Sequence, residues 1–237
     1  MEGERTNMDE RTVRILVVDD ELPIRRFLRA SLSGQYTVLE AATGQEALAV
    51  TVSGRPDAII LDLGLPDLDG TEVTRQLREW TQIPVIVISG REREEDKIAA
   101  LDAGADDFLT KPFGIGELLA RIRVATRHAQ RSGEAEDPVF ELGRWRVDLA
   151  KREVRVEGVE VHLTPNEYKL LTTLIRHAGK VLTHHMLLKE VWGSSAGAQP
   201  HYLRVYMAQL RQKLEEDSAR PKYLITEPGV GYRLRLE

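Results

Sequence analysis

Apolar and polar positions follow two regimes along this 237-residue chain, and the change falls near residue 130. In the first regime, short continuous apolar runs are separated by segments with helical spacing. Val13–Val18 carries a single Arg, while Ala58–Leu61 and Pro84–Ile88 carry no charge; each reads as a strand covered on both faces. Tyr36–Leu39 and Phe108-Leu109 read as two shorter strands. Pro23–Leu32 puts Ile24, Phe27, Leu28 and Leu32 on one helical face, and Thr71–Trp80 does the same with Val73, Leu77 and Trp80. Thr43 with Glu46 three residues on is a capping box that opens another helix. Glu94–Ala103 and Glu117–Thr126 complete the set. Five strands alternating with five helices predict an α/β fold, a doubly wound sheet with helices on both faces.

The second regime has shorter, more polar strands. Val139–Leu149 and Glu153–Val161 read as strands with polar turns at Ala150-Lys151-Arg152 and Glu157-Gly158. Thr164 is a helix N-cap, Pro165 takes the first helical position and Glu167 closes a capping box. Tyr168, Leu171, Leu174 and Ile175 form the buried stripe of that helix, and Gly179 ends it. Thr183 caps a second helix carrying Leu187, Leu188, Val191 and Trp192. A loop of small residues leads to a third helix, Pro200–Glu215, and Tyr223–Thr226 with Gly231–Leu236 make a β-hairpin. Three helices followed by a hairpin predict an α+β winged helix-turn-helix. The three tryptophans, Trp80, Trp145 and Trp192, are expected in the cores.

Composition changes this picture in three places. The 42% hydrophobic and 30% charged content is that of a globular chain. The absence of cysteine excludes a disulfide scaffold, a thiolate metal site and a cysteine nucleophile, and fits a reducing, cytoplasmic setting. No apolar run approaches the roughly 20 residues of a membrane helix, so no membrane insertion is expected. Residues 1–12 are polar with mixed charge and read as a flexible tail, with Met8 as an alternative start. The net charge of −5 argues weakly against a nucleic-acid partner, but it is unevenly spread. Residues 1–131 hold 17 Lys/Arg against 23 Asp/Glu, and residues 132–237 hold 16 against 15. The polar stretch from Gln130 to Pro138 reads as a linker between a first domain over residues 1–129 and a second over 139–237.

Candidate chemistry collects at the strand ends of the first domain. Asp19 and Asp20 follow the first strand, Asp62 ends the third, Ser89 ends the fourth and Lys111 follows the fifth. In an open parallel sheet, ligands bind beyond the carboxyl ends of the strands. Each residue alone has an ordinary explanation, since an Asp after a strand often caps the next helix. Together they predict one crevice. Clustered carboxylates repel, and a hard cation with oxygen ligands relieves that; Mg²⁺ suits the donor set, with Mn²⁺ as a substitute. Asp62 is then a candidate phosphoacceptor, Lys111 a counter-charge for phosphoryl oxygens and Ser89 a hydroxyl donor to the same group.

Val17-Val18-Asp19-Asp20-Glu21, the run Leu61–Gly70 and the run Gly104–Phe113 resemble the receiver domain of bacterial response regulators. The resemblance implies a flavodoxin-like sheet in the order 2-1-3-4-5 and a sensor histidine kinase as phosphodonor to Asp62. It implies metal ligation by Asp20 directly, by Asp19 mainly through water, by Asp62, and by the backbone carbonyl of Gly64. Ser89 and Phe108 would be the switch pair, Phe108 standing where tyrosine is common, and the Lys111-Pro112 bond would be cis. A receiver of this kind assists its own phosphorylation and is not a turnover enzyme.

The third helix of the second domain separates its residues. Leu203, Met207, Leu210 and Leu214 face the core. His201, Arg204, Val205, Ala208 and Gln209 lie off that stripe, as do Arg211, Gln212 and Lys213. Arg and Gln side chains can read base edges in a major groove, and Arg233 and Arg235 on the hairpin can meet phosphates or the minor groove. Residues 199–235 carry seven Lys/Arg against four Asp/Glu, so the segment is locally basic. Leu163–Tyr168, Val191-Trp192 and Gly229–Arg233 are similar to the C-terminal effector domain of the OmpR/PhoB subfamily, and residues 201–207 with 225–232 to its Kdp-type branch. The resemblance implies a transcription regulator that binds promoter DNA, meets RNA polymerase and controls a potassium-uptake operon. Pro228 replaces the arginine common at the wing tip, which shifts that role toward Arg233 or Arg235. The subfamily pairs receivers symmetrically through the fourth helix, fifth strand and fifth helix, placing Lys97, Asp106, Asp107, Glu117, Arg121 and Arg123 at a homodimer interface, with Lys97 opposite Glu117 and Asp107 opposite Arg121.

Two other readings fit parts of the pattern. A Mg²⁺-dependent aspartyl-phosphate hydrolase would usually carry a second Asp two residues after the nucleophile, where this chain has Gly64. A phosphorylation-independent regulator would have no use for the intact Asp19-Asp20 pair, Ser89 and Lys111.

Overall fold

The computed structural model describes residues 12–90, 93–131, 138–193 and 200–236. The five-residue runs that lack polar alternation become strands: β1 (Arg14–Val18), β2 (Thr37–Ala41), β3 (Ala58–Asp62) and β4 (Val85–Ser89), with β5 (Asp107–Thr110) at the edge. The helices are α1 (Leu22–Leu32), α2 (Gly44–Gly54), α3 (Gly70–Arg78), α4 (Glu94–Asp102) and α5 (Ile115–Arg131). All strand pairs are parallel, in the order β2-β1-β3-β4-β5. Alternate residues of one strand enter opposite cores. Leu16, Val18, Ile59 and Leu61 pack on one side, and Ile15, Val17, Ala58 and Ile60 on the other. Burial on both faces is the physical reason that β3 and β4 are apolar up to their last residues, Asp62 and Ser89. The register sets Val18 opposite Leu61, Asp62 opposite Ile88 and Ser89 opposite Thr110, so the carboxyl ends of the strands lie at one edge.

The second domain holds a four-stranded antiparallel sheet, β6 (Val139–Leu142), β7 (Trp145–Asp148), β8 (Glu153–Val156) and β9 (Val159–Glu160). Three helices follow, α6 (Pro165–Arg176), α7 (His184–Trp192) and α8 (Pro200–Leu214), and a hairpin of β11 (Leu224–Glu227) and β12 (Gly231–Leu234). The Thr164–Glu167 capping box forms as expected, and the Thr183 hydroxyl accepts from the Met186 amide. Trp145 is buried at the centre: its Nε1 donates to the Leu214 carbonyl at 2.7 Å, and its ring stands edge-on to Tyr223.

Two expectations need correction, and one strand was not foreseen. Val139–Leu149 is not one strand; Gly143, at φ +55, turns the chain between β6 and β7. Trp80 is 49% exposed, because α3 ends at Arg78 and the helical period that put Trp80 beside Leu77 ends with it. A short strand, β10 (Val181–Thr183), precedes α7 and pairs with β12 at the edge of the hairpin. Its three residues were too few to show a period. The tail at residues 1–11 and most of the linker at 130–138 lie outside the described residues.

The two domains touch through this hairpin. Val181 and Val230 are buried against Ala100, Leu101 and Ala105 of the first domain. Among the described residues, no helix is long and apolar enough to cross a membrane.

Candidate phosphoacceptor site and DNA-binding face

The strand ends bring Asp19, Asp20 and Asp62 together, with one carboxylate oxygen of each inside a 4.8 Å cluster. Asp19 is fully buried, Asp62 nearly so and Asp20 exposed. The backbone positions the pair after β1: Asp19 accepts from the Glu21 amide at 2.9 Å, and Arg25 donates to the Asp19 carbonyl at 2.5 Å. Lys111 reaches both buried carboxylates, at 2.8 Å from Asp19 and 3.2 Å from Asp62. It is delivered by the turn after β5, where the Lys111-Pro112 peptide is cis, as the resemblance implies. The Gly64 amide donates to Asp62 at 3.1 Å. Gly70 is needed for close approach, since a Cβ there would run into the Asp62 carbonyl and Leu63. Ser89 is buried at the end of β4, and Phe108 is half-buried on β5.

Electrostatics favour a ligand here. Burial pushes the Asp62 carboxyl up; Lys111 pulls it back, Asp19 pushes it further, and the net is upward. Burial opposes the Lys111 ammonium, but Asp19 and Asp62 outweigh it and hold its pKa above the usual value. One ammonium thus serves Asp19 and Asp62, and Asp20 stands beside them outside its ion pairs. The donor set is all oxygen, carboxylate-rich and open on the Asp20 side, which fits a hard divalent cation.

The helix α8 shows a clean division. Leu203, Met207, Leu210 and Leu214 are buried, while His201, Arg204, Val205, Ala208, Gln209 and Gln212 are exposed on one face. Arg211 and Lys213 are committed elsewhere. Arg211 donates to the Leu224 carbonyl and, at 2.7 Å, to the Thr226 hydroxyl, tying α8 to the hairpin. Lys213 pairs with the buried Glu167 at 2.7 Å and pins α8 to the start of α6. Arg235 is exposed beyond the hairpin, but the Arg233 side chain is only 12% exposed.

The residues expected at the receiver pairing face also divide. Lys97 lies over the Phe108 ring, and Glu117 and Arg123 are exposed. Arg121 binds both oxygens of Asp107 within the chain, at 2.7 and 2.6 Å, and Glu117 at 2.7 Å. Asp107 also accepts from Arg233 at 2.6 and 2.7 Å. Burial opposes that carboxylate, but Arg233 and then Arg121 hold its pKa below the ordinary value. Asp106 is buried, accepting from Arg78 and the Val85 amide, each at 2.8 Å, and from Lys180 at 2.5 Å. Sequence reasoning missed Arg78, Asp102 and Lys180, and it saw Thr183 as a helix cap without its bond to Asp102; these contacts join distant segments. Asp69 was legible in principle: it stands before Gly70 as an N-cap, accepting from the Thr71 amide.

Known proteins share both halves. The family described as "Response regulator receiver domain" matches residues 15–123, and "Transcriptional regulatory protein, C terminal" matches residues 158–234. The chain is 56% identical to the KDP operon transcriptional regulatory protein KdpE of Escherichia coli (strain K12) over 223 residues, covering 94% of this chain and 99% of that protein. It is 51% identical to the transcriptional regulatory protein KdpE of Mycobacterium tuberculosis (strain ATCC 25618 / H37Rv) over 220 residues, covering 92% and 97%. The solved structure of DrrB, a Thermotoga maritima OmpR/PhoB homolog, aligns with a TM-score of 0.49 and 30% identity over 94% of this chain and 99% of that one. With both domains matched in chain order and the relatives spanned almost end to end, the chain belongs to the response regulators, with a receiver domain followed by a DNA-binding output domain of the OmpR/PhoB type.

Proposed function

We propose that this regulator takes a phosphoryl group on Asp62 from a sensor histidine kinase and, so charged, pairs with a second copy to bind promoter DNA of a potassium-uptake operon. The observation that carries the first step is the placement of Asp62 between a buried carboxylate and a half-buried lysine at the carboxyl edge of the sheet. An Asp62 oxygen attacks phosphorus, the bond from phosphorus to the kinase histidine nitrogen breaks, and its electron pair returns to the imidazole. Lys111 lies within ion-pair distance of Asp62 and neutralises phosphoryl oxygens, while Ser89 donates its hydroxyl to them. Asp19, Asp20 and Asp62, with the Gly64 carbonyl, would hold Mg²⁺, which supplies charge neutralisation at the phosphoryl oxygens. The chain assists this transfer without being a turnover enzyme.

The output follows from α8. Its open face of His201, Arg204, Val205, Ala208, Gln209 and Gln212 suits a major groove, with Arg235 and, once released, Arg233 toward phosphates. Pairing through α4, β5 and α5 places two such helices on a repeated site and multiplies affinity through effective concentration. The operon assignment rests on the likeness to the KdpE proteins. RNA polymerase is the further partner and the cytoplasm the setting. The test is treatment with a small phosphodonor and Mg²⁺, followed by intact mass and a footprint on the chain's own upstream region. A phosphoryl gain that persists in Asp62→Ala sinks the acceptor assignment, and a footprint absent from any potassium-transport promoter sinks the operon.

A further inference from the structure

The receiver carries two exposed apolar patches that its proposed chemistry does not use. Among the described residues it exposes four large apolar side chains, Leu22, Phe27, Val52 and Trp80, and they fall in two places. Leu22 and Phe27 lie on the outward side of α1, Phe27 being 52% exposed, while Leu28 and Leu32 of the same helix are buried. Val52, 64% exposed, and Trp80 face a hollow of about 530 Å³ between α2 and the end of α3, which Leu48 also lines.

The patches differ in charge. Arg26 sits beside Phe27 on the exposed side of α1 and has no ion pair among the described residues. Arg29 adds a second cation there, paired with Glu40 at 3.3 Å. Among the described residues no cation lines the hollow, and Glu72 and Glu79 stand on its rim. Glu72 is held by Arg75 and Gln76, whereas the Glu79 carboxylate has no ion pair among the described residues. Glu79 also caps the carboxyl end of α3, where the helix dipole favours a cation. One patch is thus a cationic apolar knob and the other an apolar hollow with an acidic rim. We propose that the α1 patch of one copy seats in the α2–α3 hollow of the next, with Phe27 entering beside Val52 and Trp80 and Arg26 meeting Glu79.

The two patches lie on opposite faces of the sheet. Leu28 and Leu32 of α1 pack into one core, and Ala47 of α2 with Val73 and Leu77 of α3 into the other. One copy therefore cannot offer both patches to the same partner, so the contact is head-to-tail and continues from copy to copy. Neither patch includes α4, β5 or α5, so this contact and the pairing in the proposed function coexist in one assembly. A guanidinium against the Trp80 ring adds attraction where Glu79 already draws it. Four apolar side chains make a contact that is small beside the roughly 1,200 Å² of a stable interface, so dilute copies stay apart. Copies held on adjacent DNA sites meet at high effective concentration, where a weak contact becomes cooperative binding. The contact itself stands without the DNA reading; its use at a promoter rests on that reading.

Sedimentation of the full-length chain without DNA or phosphodonor tests the contact by itself. Its mean mass should rise over about 0.01 to 1 mM chain. Arg26→Glu and Glu79→Arg should each abolish that rise, and the chain carrying both should recover it. Phe27→Asp removes the knob and Trp80→Asp spoils the hollow. Neither variant should grow alone, and an equal mixture should form a species that neither forms by itself. On DNA, the phosphorylated chain should fill two adjacent copies of the site footprinted on its own upstream region at least about tenfold more tightly than one copy. Either charge reversal should remove that gain and leave single-site affinity unchanged. A native chain whose mass stays constant, charge reversals that the double variant does not repair, or a mixture that forms nothing new overturns the contact. Slower phosphoryl transfer from the kinase in Phe27→Asp, with self-association intact, assigns the α1 patch to the kinase and overturns it as well. The sedimentation arm uses neither phosphate nor DNA, so it can fail while Asp62 still gains a phosphoryl group and a single site is still bound.

Discussion

Two of the receiver's buried acidic centres differ in charge balance. At Asp19, Asp20 and Asp62, three carboxylates cluster, the ammonium of Lys111 pairs with two of them, and the Asp62 carboxyl is pushed up. At Asp107, one carboxylate is gripped by the two guanidinium groups of Arg121 and Arg233, and its pKa is held down. The first centre leaves negative charge uncompensated beside solvent, which a cation and a phosphoryl group can resolve. The second is neutralised from within the chain, and its chemistry is that of a fastening. An excess of carboxylate over cation marks a place where a ligand is still to come; a matched or overmatched carboxylate marks a joint.

Substitutions at the two centres should separate these roles. Asp62→Asn should abolish phosphoryl gain altogether, read by intact mass after phosphodonor and Mg²⁺. Lys111→Ala comes next: loss of the counter-charge should slow phosphoryl uptake by about a hundredfold, and a rate within twofold of the native chain would remove Lys111 from the chemistry. At the second centre, Asp107→Asn removes the carboxylate that Arg121 and Arg233 share and leaves each with one glutamate, Glu117 and Glu227, which weakens the contact between the domains. The domains should part, so the expected readout is faster protease cutting between them and a shift to a more extended form in small-angle scattering, with phosphoryl uptake unchanged.

The smallest effect lies within the output domain, where Glu167 is a buried acid that is matched by a cation. Burial works against its carboxylate, but Lys213 and the Thr164 amide outweigh that and hold its pKa below the ordinary glutamate value. A folded pKa below the unfolded one means a stabilising contribution that is present above the unfolded value and lost as pH falls through the folded one. Glu167→Gln keeps the capping geometry and removes the titration. It should flatten the acid limb of this domain's stability curve by no more than about 1 kcal/mol in urea unfolding.

Much of the fold was legible because local and global signals agree. Apolar runs that end on Asp19, Asp62 and Ser89 marked both the strands and their functional ends, since strands buried on both faces have no polar positions except at the edge of the sheet. Thr164-Pro165-Asn166-Glu167 announced α6 through capping chemistry that is entirely local. The failures were local too. Trp80 fitted a helical period that had already stopped, and Gly143 gave no warning within a run of strand formers. β10 owes its existence to pairing with β12, about fifty residues later in the sequence, and no three-residue pattern encodes that.

The sequence by itself determined which side chains carry the chemistry, because strand ends, helix caps and the apolar stripe of α8 are set by neighbours within one or two turns. It named Asp62 with its acidic companions and Lys111, and it separated the outward face of α8 from the core face. Tertiary structure decided which of the charged residues remain open. Arg211, Lys213 and Arg233 looked alike as basic residues of a DNA-binding segment, yet each is bound to a partner from a distant part of the chain: Leu224, Glu167 and Asp107. A charge advertises its sign locally, but whether it is already neutralised depends on residues that only the folded chain brings within reach.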